Sequence, residues 1–269
     1  MIKLLRVEWM KVKSYRTFWI LLGAFVLLFP LTFYFISGKY METINTKNDA
    51  STMITAILGS PFVFPKVWHS ASWFGGLFFI IVGMLFILLI TNEVQYRTHR
   101  QNIIDGWSRT DFILAKFYVM LIFISIATIV VFLSGLIVGA VLTPSNSTTG
   151  ILEGIKYIGY FAVMAALYLI VAFLIAILIK RTGLSIIIYF TFVCIVDNLL
   201  WVVLTLKDSQ LGYFLPLEAA DSLVPNPFKP AMMEKRQVSD VSLLFTALIY
   251  LSVFGYIILN SFKRTDLKT

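Results

Sequence analysis

The side chains able to do chemistry are few in this sequence, and they are grouped. Residues 92–116 read NEVQYRTHRQNIIDGWSRTDFILAK and lie between two long apolar runs. Glu93 with Arg97, and Asp105 with Arg109, are acid-then-base pairs four apart, the order that supports a helix. Arg97, Arg100 and Gln101 project from other faces, and Ile103, Ile104 and Trp107 form an apolar cluster. Gly106 marks a break, and Ser108 with Asp111 three residues on makes an N-cap for the next helix. An apolar cluster rimmed by charge suits contact with another protein, or packing on the chain's own cytoplasmic helix ends. A second group is Asp197 with Asn198, inside an otherwise apolar run. A lone charge in hydrocarbon costs about 2.5–3.5 kcal/mol, so this pair faces a cavity, a gate, a neighbouring helix or a subunit interface. The third is LGYFLPLEAADSLVPNPFKP, residues 211–230, where Pro216 can open a short helix with Glu218 near its positive end and Asp221 in the same segment.

Bond-making chemistry has no comparable set. There is no nucleophile–base pair and no paired-carboxylate pattern, so the chain does not read as an enzyme. One cysteine, Cys194, excludes an intrachain disulfide and a thiolate cluster. No GxxxxGK[ST] run occurs, so nucleotide phosphates have no usual cradle and no cofactor is expected in this chain.

These groups must be positioned by membrane helices. Hydrophobic residues make up 59% of the 269 positions and charged residues 13%, against about 25% charged in soluble domains. About 20 apolar residues cross a bilayer as a helix. Six stretches qualify, near 17–37, 71–91, 117–142, 157–179, 183–206 and 241–262. Only the fifth holds a charged residue, Asp197. The expected fold is therefore all-α and polytopic, a single transmembrane domain over 1–269.

Charge sets the orientation. Segments 1–16, 92–116, 180–182 and 263–269 carry 14 Lys and Arg, and the opposite set carries 8. The first set is cytoplasmic, with both termini inside. His69 and His99 then fall on opposite sides, and no metal site is expected. The net charge of +8 belongs to cytoplasmic loops rather than to nucleic-acid binding. MIKLLRVEWMKVKSYR, residues 1–16, reads as an amphipathic helix in the headgroup plane. Ile2, Leu5, Trp9 and Val12 share one face, and Lys3, Arg6 and Lys13 another, near anionic lipid. On the outer side, 207–240 reads as short helices dipping into the leaflet before the last span. In span three, Gly135 and Gly139 four apart allow close helix approach.

The order of a basic amphipathic N-terminus, Arg-Thr-Phe-Trp at 16–19, Asn-Glu-x-x-Tyr-Arg-Thr-x-Arg-Gln-Asn from Asn92, Gly-x-Ser-Arg from Gly106, and Lys116 resembles the ABC type-2 permeases. These are membrane subunits of ATP-binding-cassette exporters, and the small six-span bacterial permeases of peptide-antibiotic immunity are the most similar group. The resemblance implies a coupling helix within 92–116 that docks on a separate ATPase. Glu93, Arg97, Arg100, Gln101, Asp105 and Arg109 would be its polar contacts, and Ile104 and Trp107 its apolar anchors. It also implies two ATPase copies holding ATP and Mg, a second permease copy (the same chain or a sister), a place in the bacterial cytoplasmic membrane, and an amphipathic cargo such as a peptide, lipid or hydrophobic antibiotic. A proton-coupled secondary transporter is the first rival, and it needs more intramembrane ionisable groups than Asp197. A non-transporting scaffold driven by an ATPase is the second.

Overall fold

A computed structural model describes residues 2–46, 59–95, 109–144, 150–206, 209–229 and 236–264. Among them the regular elements are all helical. In chain order they are α1 (Ile2–Lys13), α2 (Arg16–Asn45), α3 (Val67–Gln95), α4 (Arg109–Leu142) and α5 (Lys156–Ile179), then α6 (Thr182–Thr191), a π-helix (Phe192–Val196) and α7 (Asp197–Leu206). A 3₁₀ turn (Gln210–Phe214), the one-turn helix α8 (Glu218–Asp221) and α9 (Asp240–Arg264) complete the series. Six segments are long and apolar enough to cross a membrane: α2, α3, α4, α5, the run α6 to α7, and α9.

The most apolar sequences are not equally buried. Spans two and four, α3 and α5, are 67% and 61% buried over their most apolar windows, and they form the densest helix pair. The first, fifth and sixth spans are only 22%, 17% and 17% buried. The molecule is thus built around α3 and α5, and the other spans present apolar faces outward. Burial on α2 follows its spacing of four: Phe25, Phe29 and Phe33 lie on one stripe, stack at 6.0 and 5.9 Å, and are fully buried. Small residues let the other helices close on α3. A Cβ on Gly75 would stand 2.6 Å from Val131 Cγ2 of α4 and 3.1 Å from Phe161 of α5.

Several sequence expectations need correction. The first span runs eight residues beyond its expected end, to Asn45. The fifth span is one expected helix but three elements, interrupted by the π-helix just before Asp197. Lys116 lies two turns inside α4, the helix expected to start after Ser108, but is buried rather than facing the cytoplasm. On α1 the apolar face is turned from its expected position. Glu8 and Val12 pack inward, while Trp9 is 53% exposed. A hydrophobicity pattern finds an apolar stripe, but it cannot foresee that a buried lysine elsewhere draws the one acidic residue of this helix inward.

Candidate functional site

Two polar constellations stand out, one at each end of the α3–α5 core. The first is at the end that the charge distribution places in the cytoplasm. Glu8 and Lys11, three residues apart on α1, share a face. Glu93 lies on the last turn of α3, and Lys116 on α4. Lys116 Nζ meets Glu8 Oε2 at 2.5 Å and also pairs with Glu93 Oε1. Lys11 Nζ meets Glu8 Oε1 at 3.1 Å and Glu93 Oε2 at 3.2 Å. The four charges form a closed ring of alternating sign, in which each carboxylate gives one oxygen to each lysine. The ring is electrically neutral, so burial can be tolerated: Lys116 is 1% exposed and Glu8 3%. Burial alone would raise the Glu8 pKa. The adjacent Lys116 and Lys11 ammonium groups outweigh it and hold the carboxyl below its ordinary value.

The ring clamps three elements. It joins α1 to the end of α3 and the start of α4, the two stems from which the expected coupling loop departs. Asn92 Nδ2 donates to Tyr15 Oη at 3.0 Å and adds a second tie between α3 and the α1–α2 junction. Thr182 Oγ1 donates to Thr91 Oγ1 at 2.9 Å and extends the contact to span five. A cleft of about 240 Å³ lies beside the ring, lined by Glu8, Lys11, Val12, Tyr15, Leu89, Asn92 and Glu93. Outside it, Trp9 and Trp19 meet edge to face at 6.0 Å, and both are half exposed. Of the expected loop contacts, Glu93 is in the ring with its carboxylate turned inward. Arg97, Arg100, Gln101, Ile104, Asp105 and Trp107 lie outside the described residues, as does the side chain of Arg109, whose backbone begins α4.

The second constellation surrounds a cavity of about 1010 Å³ at the opposite end, between α3, α5, span five and the segment before α9. Asp197 is the key to its construction. The residue is 2% exposed, and its Oδ2 accepts the Glu218 backbone N–H at 2.9 Å, which fastens α8 to span five. Asn198 donates Nδ2 to the Val193 carbonyl of its own span at 3.0 Å. Glu218 accepts Ser222 Oγ at 2.7 Å, and the Asp221 carboxylate accepts the Tyr168 hydroxyl at 3.0 Å. Three carboxylates from distant positions therefore stand together, where Asp197 seemed solitary in the sequence. Burial, then the neighbouring Asp197, pushes Glu218 up to about 7, and Asp221 is pushed well above its ordinary value by burial and by Glu218. Pro216 lies in the turn that leads into α8, where the Ala219 N–H donates to the Leu215 carbonyl at 3.0 Å.

Further bonds tie the outer segment down. Asp240 at the start of α9 receives Arg236 Nη2 at 2.6 Å, Tyr160 Oη at 3.1 Å and Lys156 Nζ at 3.3 Å. Arg236 Nη1 also donates to the Ser222 carbonyl at 2.5 Å. His69 stacks on Tyr157 at 4.3 Å with Nε2 2.5 Å from the Pro225 carbonyl, so its surroundings are those of a structural tie. Among the described residues no group of three or more His, Cys, Asp or Glu side chains is arranged to hold a metal ion.

Glu8, the member of the ring that sequence reasoning missed, had one faint signal: it is the only acidic residue among the first 16. Nothing local marked Glu218 and Asp221 as neighbours of Asp197, because the contact depends on how α8 folds back onto span five.

Comparison with known proteins places the first constellation within a family. No curated protein sequence matches the chain. The family model described as ABC-2 family transporter protein matches residues 4–197, which takes in α1, the whole ring and the first five spans as far as Asp197. The chain, a multi-pass membrane protein, therefore belongs to the ABC-2 family of transporter proteins.

Proposed function

We propose that the chain is the permease subunit of a bacterial ATP-binding-cassette exporter in the cytoplasmic membrane. Two copies of a separate ATPase would drive it by hydrolysing ATP with Mg, and a second permease copy would complete the pathway. The observation that carries this reading is the Glu8–Lys116–Glu93–Lys11 ring. A loop that transmits force needs rigid stems, and a neutral buried ring clamps both stems of the loop between α3 and α4. Force applied to Arg97, Arg100, Gln101, Ile104, Asp105, Trp107 or Arg109 would pass into α3, and so into the α3–α5 core. Glu93 would serve by holding the stem, not by touching the ATPase. The cargo is an amphipathic molecule moved through a path that the outer cavity helps to form.

The test is copurification of the detergent-solubilised protein with its ATPase. Wild type is expected to retain the ATPase, and the double variant Arg100→Glu, Trp107→Ala to lose it while remaining inserted. Equal retention by both would move the docking surface to α1. If wild type retains no ATPase, the exporter reading falls. The carboxylates at the outer cavity then favour a second reading, a proton-driven secondary transporter, for which a proton gradient alone would drive uptake of label into vesicles.

A further inference from the structure

The outer cavity has an unusual distribution of polar groups for a membrane protein. Its walls are largely aromatic and aliphatic, with Trp73, Leu77, Ile80, Tyr157 and Trp201 among them. Its acidic groups converge from two directions: Glu218 and Asp221 line it from α8, and Asp197 stands behind them on span five. One hydrogen-bonding position on the cavity wall, Trp201 Nε1, has no hydrogen-bond partner among the described residues. A buried donor left unmatched costs about 1–3 kcal/mol, a cost that a ligand carrying an acceptor removes.

The cavity already holds one ammonium against an aromatic face. Lys229 Nζ lies 5.2 Å from the Trp201 ring centroid. Of the other cations lining it, Arg236 is held by Asp240 and the Ser222 carbonyl, and Lys66 stands near Gly59 on the loop side. The acidic floor thus faces an apolar, aromatic chamber, and among the described residues Lys229 is the cation that acts on Glu218.

We propose that this cavity binds an amphiphile through a primary ammonium group, seated against the Glu218 and Asp221 carboxylates, with its apolar body along Trp73, Leu77, Ile80 and Trp201. The ammonium supplies donors to these two carboxylates. An acceptor next to it, such as an amide carbonyl, takes the Trp201 Nε1 hydrogen. Binding places the ligand between span five and α8, which the Asp197 hydrogen bond fastens together, so it bridges the pieces that must part if the path opens. The proposal rests on the exporter reading only in naming this ligand as cargo.

The experiment uses the full chain alone in lipid nanodiscs, without ATPase, titrated calorimetrically with phenylalanyl-phenylalanine amide and with its N-acetylated form. The two probes differ in the ammonium and are otherwise alike. Wild type is expected to bind the free amine at least about tenfold more tightly than the acetylated probe, the size of a charge-assisted contact. The double variant Glu218→Gln, Asp221→Asn is expected to bring the two probes within about twofold of each other. Equal binding of the two probes by wild type, or binding of neither, overturns the proposal without any variant. Persistence of the gap in a folded double variant overturns the placement of the ammonium. Copurification with the ATPase is read separately, so either reading can fail while the other stands.

Discussion

At the scale of single residues, the ring at the cytoplasmic end makes sharp demands. Lys116 is the most buried of its members and touches both glutamates. Lys116→Met takes one of two lysines from a pair of buried carboxylates, and removal of one partner from a buried network costs about 3–5 kcal/mol. Thermal or denaturant unfolding in detergent should register that loss. Lys39→Met is the control, because Lys39 pairs with Glu42 at 2.7 Å with both side chains exposed, and such a pair contributes at most about 1 kcal/mol. Equal losses in the two variants would show that the ring contributes nothing special. The ring also has a pH signature. The Glu8 carboxyl is held below its unfolded value, so its contribution is present above the ordinary carboxylate range and is lost as pH falls through the folded value. Stability of wild type should therefore fall between neutral pH and pH about 3 more steeply than that of Glu8→Gln, which has no such proton to gain. Parallel curves for the two proteins would remove Glu8 from the linkage.

At the scale of elements, sequence reading succeeded where a signal is local and failed where it depends on return of the chain. Six spans follow from apolar length alone, and the two glycines of α4 do mark close approach: a Cβ on Gly135 would stand 3.2 Å from Trp68 and Ala71, and one on Gly139 2.5 Å from the Phe64 ring. The π-helix before Asp197 has no such signature. Glycines also differ in what they face. Gly75 faces Val131 and Phe161, whereas a Cβ on Gly23 of α2 would meet nothing within 4 Å. Gly75→Ala should destabilise by about 1–3 kcal/mol through overpacking. Gly23→Ala should be neutral or stabilise by up to about 1 kcal/mol through helix propensity. Unfolding midpoints of the two variants check the contrast, and a loss at Gly23 as large as that at Gly75 would contradict the packing assigned to α3. The Asp197 link between span five and α8 gives a second contrast. Asp197→Asn keeps an oxygen for the Glu218 N–H, while Asp197→Leu leaves that donor without it and should cost about 1–3 kcal/mol more.

At the scale of the whole molecule, the six-span layout was legible because hydrophobic length and the Lys and Arg bias are global sums that tolerate errors at any one residue. The candidate sites were legible only in fragments: Asp197 was visible as a charge in an apolar run and Glu93 as a loop acid expected to face the ATPase, but their partners come from 21 and 82 positions away. The same global view raises a question of assembly. Spans one, five and six bury about a fifth or less of their most apolar windows, and span five leaves Ile187, Ile195, Leu199 and Val203 exposed. Lipid can cover such a face, and so can a second copy of the chain. Polar substitution would not separate these, because lysine is costly against either. Bulk does separate them, since fluid lipid yields to a larger apolar side chain and a packed helix interface does not. The permease reading expects a pair. In nanodiscs the protein should then have twice the 30.6 kDa polypeptide mass, and Leu199→Trp with Val203→Trp should shift it toward the single-chain mass with unfolding of the monomer unchanged. A single-chain mass for wild type would assign the span-five face to lipid and require the second half of the pathway to come from a different permease chain.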